Sequence, residues 1–277
     1  MLGSYVYKFP LRNGKHVFVP SLVSRTNGAD IHRELLRRWR PPSYFYHLRN
    51  GGHLAALKLH LPNRTFAMID IGGFFDSITR SKIHRALREI GFDHHEAWEI
   101  ACESTVEKTR RAKDFSLPYG FVQSPVLASL ALDNSALGRR MKVLARSNHT
   151  RLTNYVDDII LSWVDVDAIE QSWLSLISSA KLSRFEINET KSQPPSPKIT
   201  AFNVVLSNNA MAITEDRLRE FEDAVLREEP LAVAAIIAYV RSANRSQAGL
   251  LARLASISLN ATVRELATEL AQGSTAA

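Results

Sequence analysis

The sequence predicts an α+β fold in which a small sheet is framed by helices and followed by a helical appendage. Three observations carry this expectation. Short apolar, partly β-branched runs at 65–71, 151–165 and 199–206 have strand length, the stretches between them repeat apolar residues at helical spacing, and beyond Asn208 only helical spacing remains. With 277 residues, 45% apolar and 23% charged, the chain is long enough for a sizeable core and has the composition of a globular protein.

Taken in order, Tyr5 to Pro20 alternate apolar and basic positions about Asn13-Gly14, a pair that tolerates the positive φ of a tight turn. A hairpin is expected there, with Arg12 and Lys15 flanking its tip. Residues 29–39 place Ile31, Leu35, Leu36 and Trp39 on one helical face, and Pro41-Pro42 ends that helix. After the 65–71 strand, helical spacing returns over 81–90 and 94–109. It recurs over 124–144, where Pro125 suits a first turn.

Residues 151–165 read as two strands folded about Asp157-Asp158, and 168–182 as an amphipathic helix packed back on the sheet. Lys191 to Lys198, rich in proline, reads as a loop, and Ile199 to Leu206 as a further strand. Thr214 suits a helix cap, with Glu215 and Asp216 in the first turn and Leu218, Phe221, Val225 and Leu226 on one face. Helical patterns fill 230–241 and 246–271.

The charge balance, 35 Lys plus Arg against 28 Asp plus Glu for a net +7, favours a polyanionic partner such as nucleic acid, although any soluble basic protein shares it. The single cysteine, Cys102, excludes an intramolecular disulfide and a Cys-based zinc site. No apolar window of about 18 residues and no signal-peptide pattern stand out, so a cytoplasmic protein without membrane contact is expected.

The chemistry-bearing feature is Asn154 to Leu161, where two adjacent carboxylates interrupt apolar strands. Neighbouring Asp residues repel and disfavour strand interiors, so a turn held by a cation explains them better than packing, with an exposed Asp-Asp turn as the bland alternative. Asp70 ends a second apolar strand, directly before Gly72-Gly73-Phe74-Phe75-Asp76. If the strands are neighbours, three carboxylates converge at one sheet edge. Such a set suits Mg²⁺, and two ions there would serve phosphoryl transfer to a 3′-hydroxyl.

These residues resemble the reverse-transcriptase family, particularly its prokaryotic retron and phage-defence branches. Tyr155-Val156-Asp157-Asp158 is similar to the family's Tyr-x-Asp-Asp turn, and Asp70 to Ile78 to its first catalytic strand. Leu117 to Pro125 resembles the Pro-x-Gly…Ser-Pro segment, Phe185 to Lys191 the Phe-x-x-Asn-x-x-Lys segment, and Ile199 to Leu206 the start of the primer grip. Five matches in family order over about 140 residues are far more specific than any one of them.

The resemblance implies a right-hand polymerase with fingers at 1–65, an antiparallel-sheet palm at 66–208 with finger helices interleaved around 80–115, and a short helical thumb at 209–277. It implies two Mg²⁺ ions, replaceable by Mn²⁺, on Asp70, Asp157, Asp158 and the Ile71 carbonyl. Lys191 then serves as a general acid, as a neutraliser of the triphosphate, or only as a loop lysine. Phe75 corresponds to the residue that excludes a 2′-hydroxyl. Tyr119, Gly120 and Gln123 fall to the nucleotide, Ser124 and Pro125 to nucleotide and template, Arg12 and Lys15 to the triphosphate, and Arg37 and Arg38 to a nucleic-acid backbone.

Three positions depart from the pattern: Tyr119 stands where many relatives have Gln, His60 lacks the Asn of the retron Asn-Ala-x-x-His element, and Ile199-Thr200-Ala201 replaces Val-Thr-Gly. The expected activity is RNA-directed addition of dNTPs, giving a DNA product, in phage defence with a structured non-coding RNA. Alternatives are template-independent or protein-primed synthesis by the same palm, RNA-directed RNA synthesis, and a catalytically silent RNA-binding assembly module.

Overall fold

The structure is a computed structural model that describes residues 4–11, 14–109, 114–163 and 169–257. The chain divides into two compact units, one of residues 1–60 and 64–196 and one of residues 61–63 and 197 onward.

The first unit opens with a hairpin of β1 (Tyr5–Pro10) and β2 (His16–Pro20), closed by Gly14 in the left-handed region at φ 76°. Helix α1 (Leu22–Arg38) starts earlier than its apolar pattern, because Ser21 caps it by accepting from the Ser24 amide. A single 3₁₀ turn, Tyr46–Leu48, precedes α2 (Gly52–His60).

The central strand β3 (Thr65–Gly72) leads into a one-turn helix α3 (Phe74–Ser77), then α4 (Arg80–Glu89) and α5 (His94–Glu103). Helix was expected to continue to 109. Instead β4 (Val106–Thr109) pairs with β5 (Asp114–Ser116), since the β-branched pair Thr105-Val106 suits a strand better than a helix end.

Helices α6 (Ser124–Asp133) and α7 (Ala136–Ala145) follow; the expected continuous 124–144 helix breaks at Asn134, where Ser135 caps a new start. The rest of the unit is β6 (Thr150–Tyr155), β7 (Asp158–Trp163), α8 (Ile169–Leu182), β8 (Glu186–Ile187) and β9 (Gln193–Ser196).

The sheet runs β6-β7-β3-β8, all antiparallel, with β9 also paired to β3. Phe66 to Ile71 of β3 are buried without alternation, as a strand covered on both faces requires. Nine of the ten residues of α6 are buried, and α7 closes on its C-terminal end at Gly138, where a Cβ would stand 2.1 Å from the Leu132 carbonyl oxygen. Buried Asp133 is paired there with Lys142 at 2.9 Å and accepts from the Trp39 indole at 3.2 Å.

The proline-rich stretch expected as a loop supplies β9. It joins the sheet through a shifted register, Phe66 opposite Ser196 and Met68 opposite Gln193, because prolines have no amide to give a regular ladder.

The second unit is a meander of β10 (Lys198–Ala201), β11 (Val204–Ser207) and β12 (Ala210–Ile213), followed by α9 (Glu215–Arg227), α10 (Pro230–Ala243) and helical turns over 245–257. The expected 199–206 strand is thus a hairpin turning on Phe202 and Asn203, both left-handed at φ 56° and 60°. Asn208 and Asn209 tie 61–63 to the meander, Asn208 donating to the Asn63 carbonyl at 3.0 Å and the Asn209 amide to Leu61 at 2.8 Å. Among the described residues no helix is long and apolar enough to cross a membrane.

Candidate active site at the β6–β7 turn

The register of β3 on β7 sets Asp70 directly opposite Asp158, and that of β6 on β7 sets Tyr155 opposite Asp158. Val156 and Asp157 are therefore the two residues of a tight turn. Asn154 braces it from inside, its amide nitrogen donating to the Val156 and Asp158 carbonyls at 3.1 Å each. The Ile71 amide donates to the Asp157 carbonyl at 3.0 Å, which ties the turn to β3. Asp70 is anchored by its own backbone, the amide donating to Ser192 Oγ at 3.0 Å and the carbonyl accepting from the Asn188 amide at 2.9 Å.

The electrostatics are those of crowded carboxylates. Asp70 is 4% exposed, and Lys191 Nζ lies 3.2 Å from its Oδ2. Burial, with the Asp70 charge, raises the Asp157 pKa; burial, then Asp157 and Asp70, pushes Asp158 up to about 7. Asp158 Oδ1 is buried with no hydrogen-bond partner among the described residues.

A buried carboxylate oxygen with nothing to accept from, beside two more carboxylates, fits a divalent cation, which would repay its desolvation and relieve the repulsion. Among the described residues no three His, Cys, Asp or Glu side chains are already drawn into a metal cage.

Next to the carboxylates, Phe75 stacks on Phe74 with centroids 5.9 Å apart and meets Tyr119 at 4.8 Å, while Phe74 rests on Phe185. The Tyr119 hydroxyl accepts from Lys15 Nζ at 2.8 Å, with the ammonium 5.0 Å from the ring centroid. Burial opposes the Lys15 charge, but Tyr119, Asp157 and Asp76 outweigh it and raise the Lys15 pKa, so Lys15 lies within reach of the carboxylate turn's field. Gly120 has φ 102°, and a Cβ there would stand 2.3 Å from the Phe18 carbonyl oxygen; only glycine lets this loop lie on β2.

The sequence profile of the reverse transcriptase (RNA-dependent DNA polymerase) family matches residues 29–202, a span that holds every one of these carboxylates. The chain belongs to this family. Retron Mx65 reverse transcriptase of Myxococcus xanthus is 25% identical over 274 residues, a match covering 91% of this chain and 57% of that protein. Apo telomerase from Candida tropicalis superposes with a TM-score of 0.58 at 13% identity, over 95% of this chain and 58% of that one. Its form truncated from the C-terminal domain gives 0.50 at 13% identity, over 74% and 53%.

At such identity the structural likeness shows the fold alone, a right-hand polymerase of mixed helices and antiparallel sheet. The chain spans little more than half the length of these relatives.

Within this reverse-transcriptase fold the other expected residues are distributed unevenly. Gln123 is 2% exposed, donates to Ser104 Oγ at 3.3 Å and packs its Oε1 against Gly28. Ser124 is fully buried, and Pro125 occupies the first turn of α6. Arg37 pairs with Glu34 at 2.8 Å, and Arg38 with Glu34 while lying 4.0 Å above the Phe92 ring. Arg12 lies outside the described residues.

His60 is wholly buried, its ring nitrogens 2.7 Å from Ser162 Oγ and 2.8 Å from Thr153 Oγ1. It ties α2 to β6 and β7 and offers nothing to a partner RNA. Sequence reading missed Asn154 and Ser192 as braces of the carboxylates. Asn154 carried a local signal, a turn-favouring residue two positions before Val156, whereas Ser192 bonds a residue 122 positions away and carried none.

Proposed function

We propose that the chain is an RNA-directed DNA polymerase, adding dNTPs to a 3′-hydroxyl and releasing pyrophosphate. The observation that carries this reading is Asp158, opposite Asp70 in the sheet, with a buried oxygen that has no hydrogen-bond partner among the described residues, in a chain of this family. Two Mg²⁺ ions, or Mn²⁺ in their place, held by Asp70, Asp157, Asp158 and the Ile71 carbonyl, would activate the hydroxyl and stabilise the leaving pyrophosphate.

The chain's own residues do the rest. Phe75, backed by Phe74, gives a rigid wall where a 2′-hydroxyl would stand, favouring dNTPs. Tyr119 offers a ring face and a hydroxyl already engaged by Lys15, so this pair meets a nucleotide with stacking surface and positive charge where an amide would give hydrogen bonds. Lys191 brings an exposed ammonium to the rim of the carboxylates, able to neutralise a triphosphate or protonate pyrophosphate.

In this reading residues 1–65 are the fingers, 66–208 the palm and 209–277 the thumb. The template is RNA, and likeness to a retron enzyme supports a dedicated structured RNA and a role in phage defence, in the cytoplasm where dNTPs and such RNAs meet. The test is incorporation of labelled dNTPs with Mg²⁺ by wild type and by an Asp157→Ala, Asp158→Ala protein. We expect the double variant to lose at least about 100-fold, the scale of electrostatic catalysis; equal incorporation by both would sink the proposal.

A further inference from the structure

Val156, inside the catalytic turn, has φ 58°. For a β-branched residue this left-handed backbone is strained, and it persists only where the surroundings impose it. Asn154 holds the carbonyl side of the turn. The amide side is held by a residue far away in sequence: the Val156 amide donates to His47 Nδ1 at 3.0 Å.

The direction of that bond settles the rest of the chain. With Nδ1 accepting, the neutral ring carries its proton on Nε2, which lies 2.6 Å from Ser129 Oγ and donates to it. The Ser129 hydroxyl in turn donates to the Pro125 carbonyl at 2.8 Å, in the first turn of α6. Burial pushes the His47 pKa down to about 4, which keeps the ring in the neutral form that this arrangement needs. The loop carrying His47 follows the free edge of β6, with the Asn154 amide donating to the Tyr44 carbonyl at 2.7 Å. The imidazole also meets the Tyr155 and Phe45 rings edge-on, each at 5.8 Å.

We propose that His47 is a positioning residue: it holds Val156 in its left-handed conformation, and with it the Asp157 and Asp158 carboxylates, through an unbroken donor chain to Pro125. The catalytic consequence rests on the polymerase reading above. The chain of donors links the carboxylate turn to the first turn of α6, so the turn and that helix keep one spacing.

The test compares His47→Asn, whose Oδ1 takes the place of Nδ1, with His47→Gln, which keeps only the distal donor, and His47→Leu, which keeps neither. Amide exchange at Val156, followed by NMR, is expected to quicken at least about tenfold in His47→Leu and His47→Gln relative to neighbouring β6 amides, and to stay slow in His47→Asn. Single-nucleotide incorporation, scaled to active-site-titrated protein, is expected to fall about 10- to 100-fold in kcat for His47→Leu with KM for dNTP little changed, and to recover in His47→Asn.

Val156→Gly adopts the left-handed backbone without the Cβ penalty, so in that background His47→Leu should cost less than about threefold. The proposal is overturned if His47→Asn is no better than His47→Gln, or if Val156→Gly leaves the His47→Leu loss undiminished. A wild-type protein that extends no primer overturns the polymerase reading instead, and the Val156 exchange rates still decide the role of His47.

Discussion

At the scale of single residues, the site and the core treat histidine alike. His60 has both ring nitrogens engaged by Ser162 and Thr153, and burial, then the Arg151 charge, lowers its pKa to about 3. In the unfolded chain a histidine takes up its proton near pH ~6.5. Between these values the unfolded state binds more protons, so His60 lowers stability as pH falls from about 6.5 towards 3, and the loss levels off below that. Denaturant titrations of wild type and His60→Leu at pH 7.5 and pH 5 isolate this part. Wild type should lose on the order of 1–2 kcal/mol more than the variant between the two pH values; equal losses would show that the ring is not held neutral.

The carboxylates were legible in the sequence because adjacent aspartates in an apolar strand are costly locally, so their presence asks for a reason. His47 left no such trace. Its partner Val156 is 109 positions away, and nothing local distinguishes it from the other histidines.

At the scale of elements, strand length and apolar spacing located most of the sheet and helices, and the misplacements have specific causes. Pro194-Pro195 read as a loop because proline punctuates, yet β3 accepts that segment at a shifted register. Phe202-Asn203 hid a hairpin turn, since phenylalanine rarely takes positive φ. The 124–144 helix broke because α7 must pass close to the end of α6. Gly138 is the residue that allows it, and Gly138→Ala would drive a methyl into the Leu132 and Asp133 carbonyls, 2.1 and 2.5 Å away. Urea titration of Gly138→Ala is expected to show a loss of about 1–3 kcal/mol, the usual cost of overpacking a rigid contact. A gain in stability, as alanine gives in an open helix, would mean that the two helices are not in contact there.

At the scale of the whole molecule, the five ordered motifs identified the family better than composition did, and the profile match over 29–202 spans four of them and the start of the fifth. The net +7 charge agrees with a nucleic-acid partner without choosing one. Division into two units was harder to read, because the meander at 198–213 looks locally like a continuation of the sheet and is assigned to the second unit by its long-range packing.

The central claim, that Asp70, Asp157 and Asp158 serve RNA-templated DNA synthesis, is tested most directly by extending a primer on an RNA of known sequence. Each of the four dNTPs is left out in turn, and the product lengths are read. The account predicts termination at each template position that calls for the missing nucleotide, and no replacement of dNTPs by rNTPs while Phe75 is intact. The same product ladder whichever nucleotide is omitted, or extension that needs no RNA, would contradict it.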